Sequence, residues 1–176
     1  MFNIREIQEH VILNAVTSES DEATAREIVC RPEESNPEWV KNTMKRMEGH
    51  FSQPVLKRIR MSCQCGYAME EKLQLVQEVK EATSSLEEFG RHPKALASGL
   101  SYSDGAIMLM FPFCHCPMVA EVDKLDSYTW CQCTTGYSKV LFEKAFGCEV
   151  EVDLLKSIKA GDEICLMRIV PLAQVW

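Results

Sequence analysis

The spacing of the apolar residues changes once along this chain, and that change restricts the fold more than any single motif does. Up to about residue 95 the apolar positions recur at helical spacing. "NPEWVKNTMKRMEGHF" places Asn36 as a cap and Pro37 at the first helical position, with Trp39, Val40, Met44, Met47 and Phe51 along one face. A shorter helix is expected from Gln53 to Met61. "AMEEKLQLVQEVKEATSSLEEFG" then carries Met69, Leu73, Val76, Val79 and Leu86 as an amphipathic stripe. A break is expected near Thr83 to Ser85, and Gly90 with Pro93 supplies a stop.

Beyond that point the period shortens. "GAIMLMFPFC" is an apolar run bounded by Asp104-Gly105 and Pro112, which suits a buried strand and is too short for most helices. "TGYSKVLFEKAFG" returns to helical spacing and ends on Gly147. In "CEVEVDLLKSI" Val150 and Val152 alternate with Glu149, Glu151 and Asp153; with "ICLMRIVPL" it predicts two strands joined by the turn in "KAGDE". Helices first, then strand, helix and hairpin, describe an α+β domain with an antiparallel sheet and helices packed on one side. At 176 residues one domain is expected, a mainly helical part over 1–95 and a strand–helix–hairpin part over 96–176.

Nineteen basic and twenty-six acidic side chains give a net charge of −7, the wrong sign for holding nucleic acid or an anionic membrane. The one basic cluster, Lys41, Lys45, Arg46, Lys57, Arg58 and Arg60, is expected on the solvated faces of two helices, balancing the acidic residues from Glu19 to Glu34. The first residues, "MFNIREIQEHVILNAV", interrupt their apolar run with charge, and no 18 apolar residues are consecutive. A cytoplasmic protein is expected. In a reducing compartment its nine cysteines are expected as free, metal-bound or redox-active thiols rather than a disulfide framework.

Six of those nine stand in Cys-x-Cys pairs: Cys63 and Cys65, Cys114 and Cys116, Cys131 and Cys133. In a helix, residues two apart point about 200° apart around the axis. In an extended segment they point the same way, their Cα atoms roughly 6.6 Å apart, so two thiolates can meet one metal. Gly66, Pro117 and Gly136 follow the pairs closely and signal loops or element ends. A sulfur-rich site suits zinc, with an iron–sulfur cluster as the alternative. Cys114, Cys116, Cys131 and Cys133 form the core ligand set, and Cys63 and Cys65 complete a second metal or cap the first. His115 lies on the opposite face of an extended segment and is expected to be a hydrogen-bonded structural residue. Cys165 is expected in the core of a strand. Cys63 is also a candidate nucleophile if a helix start lowers its pKa.

The stretch "YTWCQCTTGYSKVLFEKAFGCEVEVDLLKSIKAGDEICLMRI" resembles the C-terminal part of the 4-vinyl reductase small-molecule-binding domains and of L-2-amino-thiazoline-4-carboxylic acid hydrolase-like proteins. Gly136, Tyr137, Glu143, Gly147, Gly161, Asp162 and Cys165 occupy the matching positions. With "CHCP" and "CQC", the chain also resembles an uncharacterised bacterial family of about its length, a domain of unknown function. The 4-vinyl reductase pattern implies an α+β fold, a small-molecule ligand, often a homodimer, and in some members a zinc held near the closing hairpin. Of the cysteines at that hairpin only Cys165 is kept, because Ser157 stands where the earlier one is expected. The expected function is therefore a thiolate metal-binding protein that binds or senses a small molecule. The alternatives are a hydrolase of the thiazoline-carboxylate type and a thiol redox switch.

Overall fold

A computed structural model describes residues 3–176, and the fold is α+β. Helices α1 (Ile4–Glu19), α2 (Glu22–Val29), α3 (Asn36–His50), α4 (Gln53–Met61), α5 (Met69–Glu81), α6 (Leu86–Arg91) and α7 (Pro93–Ala97) come first. Strands β1 (Leu100–Ser103) and β2 (Ala106–Phe111), helix α8 (Gln132–Phe146), and strands β3 (Val150–Lys156) and β4 (Cys165–Pro171) follow. None of the described helices is long and apolar enough to cross a membrane.

The chain divides into two compact units, neither of them a continuous segment. The first gathers Met1–Cys65, Cys114–Gly136 and Lys159–Gly161. Helices α1 and α2 begin on short polar side chains that accept from otherwise unpaired amides. Asn3 accepts from the Arg5 and Glu6 N–H groups, and Asp21 from that of Thr24. Before α3 the cap is Ser35 rather than Asn36: the Glu38 carboxylate accepts from the Ser35 N–H at 3.0 Å and its hydroxyl at 2.6 Å. Ile12, Val16, Ile28, Trp39, Val40, Met47, Leu56 and Ile59 pack into one core. Trp39 sits at its centre, edge-on to Trp130 at 5.9 Å, its indole N–H donating to the Val29 carbonyl.

The second unit gathers Gly66–Phe113, Tyr137–Ile158 and Asp162–Trp176. Its sheet has the order β1-β2-β4-β3, with every neighbouring pair antiparallel. The short strand β1 precedes the one read from the sequence. Asp104 and Gly105, both at positive φ, form the two-residue turn that pairs Ser103 with Ala106. Val150 and Val152 are buried while Glu151 is exposed, the alternation of a half-covered strand. The break at 82–85 is present. The expected stop is present, α6 ending at Arg91 ahead of Pro93, but Gly90 itself is buried inside the helix, where a Cβ would lie 2.5 Å from the Tyr102 backbone nitrogen. Phe89, Phe142, Phe146 and Trp176 form a ring cluster, and the Trp176 N–H donates to the Lys80 carbonyl.

Candidate functional site

Five of the six paired cysteines pack on the core of the first unit. Cys63 is fully buried within it, and Cys114, Cys116, Cys131 and Cys133 are partly buried against it. Cys65 is exposed and is not among the residues packed there.

Local structure explains each position. Cys63 follows α4, where its Sγ–H donates to the Ile59 carbonyl at 3.1 Å and its N–H to that of Arg60. It therefore sits beyond a helix C-terminus, where carbonyls disfavour a thiolate, and not at the helix start that would lower its pKa. Burial pushes its thiol up, against the opposing pull of Arg60. Cys114 and Cys116 lie in a non-helical loop, as their spacing demands, ahead of a 3-10 turn over Pro117–Val119. His115 between them is exposed.

The third pair differs from expectation. Cys131 stands just before α8, but Cys133 is in its first turn, so this pair is not carried by an extended segment. Gly136 is not a turn residue either. It lies within α8, where a Cβ would stand 1.8 Å from the Met61 carbonyl oxygen; only glycine lets the start of α8 reach the end of α4. That approach brings the Cys133 region towards Cys63. The ionisable groups acting on Cys133 are Arg60, Cys116, Cys131 and Cys63, so three other thiols lie within electrostatic reach of this one. Cys133 retains some accessible surface, yet its surroundings are those of the interior, and burial pushes its thiol up to about 12.

Arg60 is the residue that sequence reasoning misplaced. It is fully buried, not solvated. Its Nε and Nη2 donate to the Trp130 carbonyl at 3.3 and 2.7 Å, and its guanidinium stacks on the Trp130 ring at 4.3 Å. The signal was present in α4: Leu56, Ile59 and Cys63 mark the buried stripe, and Arg60 shares it. Two others of the basic cluster do pair with the acidic run, Arg46 with Glu34 and Arg58 with Glu19.

The loop before α8 is anchored by Glu48, whose carboxylate accepts from Ser127 Oγ at 2.7 Å and Thr129 Oγ1 at 3.1 Å. Beside it a cavity of about 410 Å³ is lined by Leu56, Lys57, Ser127, Thr129 and Gln132, among others. Gln132, which lines the cavity, stands between Cys131 and Cys133 in the chain, and no cysteine is among the lining residues. Among the described residues, no three His, Cys, Asp or Glu side chains are placed to hold a metal ion as the structure stands. Cys165 lies apart from this core, at the start of β4, where its Sγ accepts from the Ile158 N–H at 3.4 Å.

Comparison with curated proteins and with solved structures gave no match. A family model described as a family of unknown function (DUF6144) matches residues 1–176, and the chain belongs to that family.

Proposed function

We propose that this member of the DUF6144 family is a thiolate metal-binding protein in which Cys63, Cys116, Cys131 and Cys133 hold a zinc, with Cys114 alongside. The observation that carries this is the gathering of four thiols from three separate chain segments around Cys133. Nothing in ordinary core packing requires that, whereas a structural zinc takes four such ligands. Neutral thiols repel no charge and need not converge. Loading therefore includes a closure of the sulfurs, with proton release.

The adjoining cavity supports a small-molecule or sensory role, since a ligand against Gln132 would touch the segment that carries Cys131 and Cys133. A relation to the 4-vinyl reductase domains is part of this reading. It is supported by the antiparallel sheet and by the corner where the Asp162 carboxylate accepts from the Ser157 N–H at 2.8 Å. A hydrolase draws no support from Cys63, which is buried as a neutral thiol. A redox switch is the second reading, favoured by the partial exposure of Cys114, Cys116 and Cys131 within one cluster.

The test is elemental analysis with an optical spectrum on protein purified without oxygen. About one zinc per chain and no visible band is the expected result. A brown sample with iron and sulfide would replace zinc by an iron–sulfur cluster. Metal-free protein that also takes up none would end the metal reading in favour of the redox one.

A further inference from the structure

Among the described residues, two buried hydrogen-bond donors in the thiol-bearing core have no oxygen or nitrogen acceptor. One is Arg60 Nη1 and the other is the indole Nε1 of Trp130. They are neighbours, because the guanidinium stacks on that same ring. A buried N–H without an acceptor is costly, and a buried guanidinium without an opposing charge more so.

The missing acceptor has a defined chemistry. It must be anionic to balance Arg60 and must lie in the first unit's core. The Arg60 side chain lies within hydrogen-bonding reach of the Cys63 thiol and acts on Cys133 as well. Sulfur is thus the acceptor at hand, and a bound metal is what turns cysteine into thiolate at neutral pH. A zinc held by four thiolates carries net negative charge, and donors in the surrounding shell stabilise such centres.

We infer that Arg60 and Trp130 are the outer-shell partners of the thiolate centre, each donating its spare N–H to a ligated sulfur, with Arg60 also balancing the centre's charge. This rests on the metal reading above. Both are positioning residues, not ligands. The arrangement also accounts for an arginine inside an otherwise apolar helix stripe.

The test uses the metal-free full-length chain, titrated with zinc in competition with a chelator, and its cobalt(II) form examined for the sulfur-to-metal charge-transfer band. Arg60→Met is expected to weaken zinc binding about 10- to 100-fold. Trp130→Phe keeps the ring, removes only the N–H and is expected to weaken binding about tenfold. In both variants the band moves to lower energy as the sulfurs lose a donor. Arg60→Lys, which keeps the charge but not the planar fork, falls in between. Zinc binding by the wild-type chain with unchanged affinity and band in both Arg60→Met and Trp130→Phe would overturn the inference and leave the metal reading intact. If Arg60→Met does not fold, Trp130→Phe decides alone. A wild-type chain that binds no zinc would overturn the metal reading, and this inference with it.

Discussion

The two units differ in how much polarity they bury beside their apolar side chains. The sheet-bearing unit fills its core with aliphatic side chains and the rings of Phe89, Phe142 and Phe146, and its buried polar side chains among the described residues are the hydroxyls Ser138 and Ser157. The helical unit has a core of similar extent but admits Gln8, Thr43, Arg60, Thr129 and Thr135, with the thiols packed around it. Among the described residues, the buried side-chain polar atoms left without a partner, on Gln8, Arg60 and Trp130, all fall in the helical unit. An apolar core is complete in itself, whereas buried donors without acceptors leave a cost that the proposed thiolate centre would relieve.

The largest effect that sharpens this contrast comes from the second unit. Phe142→Ala should cost about 3–5 kcal/mol by urea unfolding, through the lost ring contacts and the cavity left behind, with zinc uptake by the surviving folded protein unchanged. Altered uptake would tie the ring cluster to the thiols and break the division of roles. Gly136→Ala comes next. A Cβ only 1.8 Å from the Met61 carbonyl forces α8 away from α4, at about 1–3 kcal/mol, and should weaken zinc binding along with stability. Lost stability with intact zinc binding would show that this approach does not assemble the site.

The third effect depends on pH. Burial raises the Cys133 pKa above its unfolded value, so the folded metal-free chain keeps this proton where the unfolded chain has lost it. Its contribution is fully present below the ordinary thiol pKa and is lost as pH rises from there towards about 12. The unfolding free energy of the metal-free chain, measured in urea, should fall across that window by about 1 kcal/mol over the first pH unit. Cys133→Ser should flatten the fall, and an equally steep fall in that variant would assign the effect elsewhere. The smallest effect is a control. Gly49→Ala, on α3 of the same unit with nothing within 4 Å of the new methyl, should stabilise by about 0.5–1 kcal/mol without touching zinc affinity.

The sheet-bearing unit was largely legible in the sequence for the same reason that its core is simple. Alternation at Val150 and Val152, the Asp104-Gly105 turn and the end of α8 at Gly147 are local signals with local causes. Strand β1 escaped because "LSYS" is short and only half apolar; pairing with β2, not its own pattern, makes it a strand. At the site, the gathering of the thiols was legible in part from the recurrence of Cys-x-Cys. Their geometry was not, because it depends on where α8 begins. One turn of helix places Cys133 away from the extended arrangement that its spacing suggested, and Cys65, in the segment after α4, stays exposed outside the core. Arg60 was read by its charge alone, although its place in the stripe of Leu56, Ile59 and Cys63 pointed inward. Gly136 and Gly90 look like chain breakers and are instead points of close backbone approach, which only tertiary structure discloses.

The most direct test of the central claim is X-ray absorption at the zinc edge of the zinc-loaded wild-type chain, with Cys133→Ser measured beside it. Four sulfur neighbours at about 2.3 Å in the wild type, and one fewer in the variant, are the predicted result. A first shell dominated by nitrogen and oxygen, or one that Cys133→Ser leaves unchanged, would contradict it.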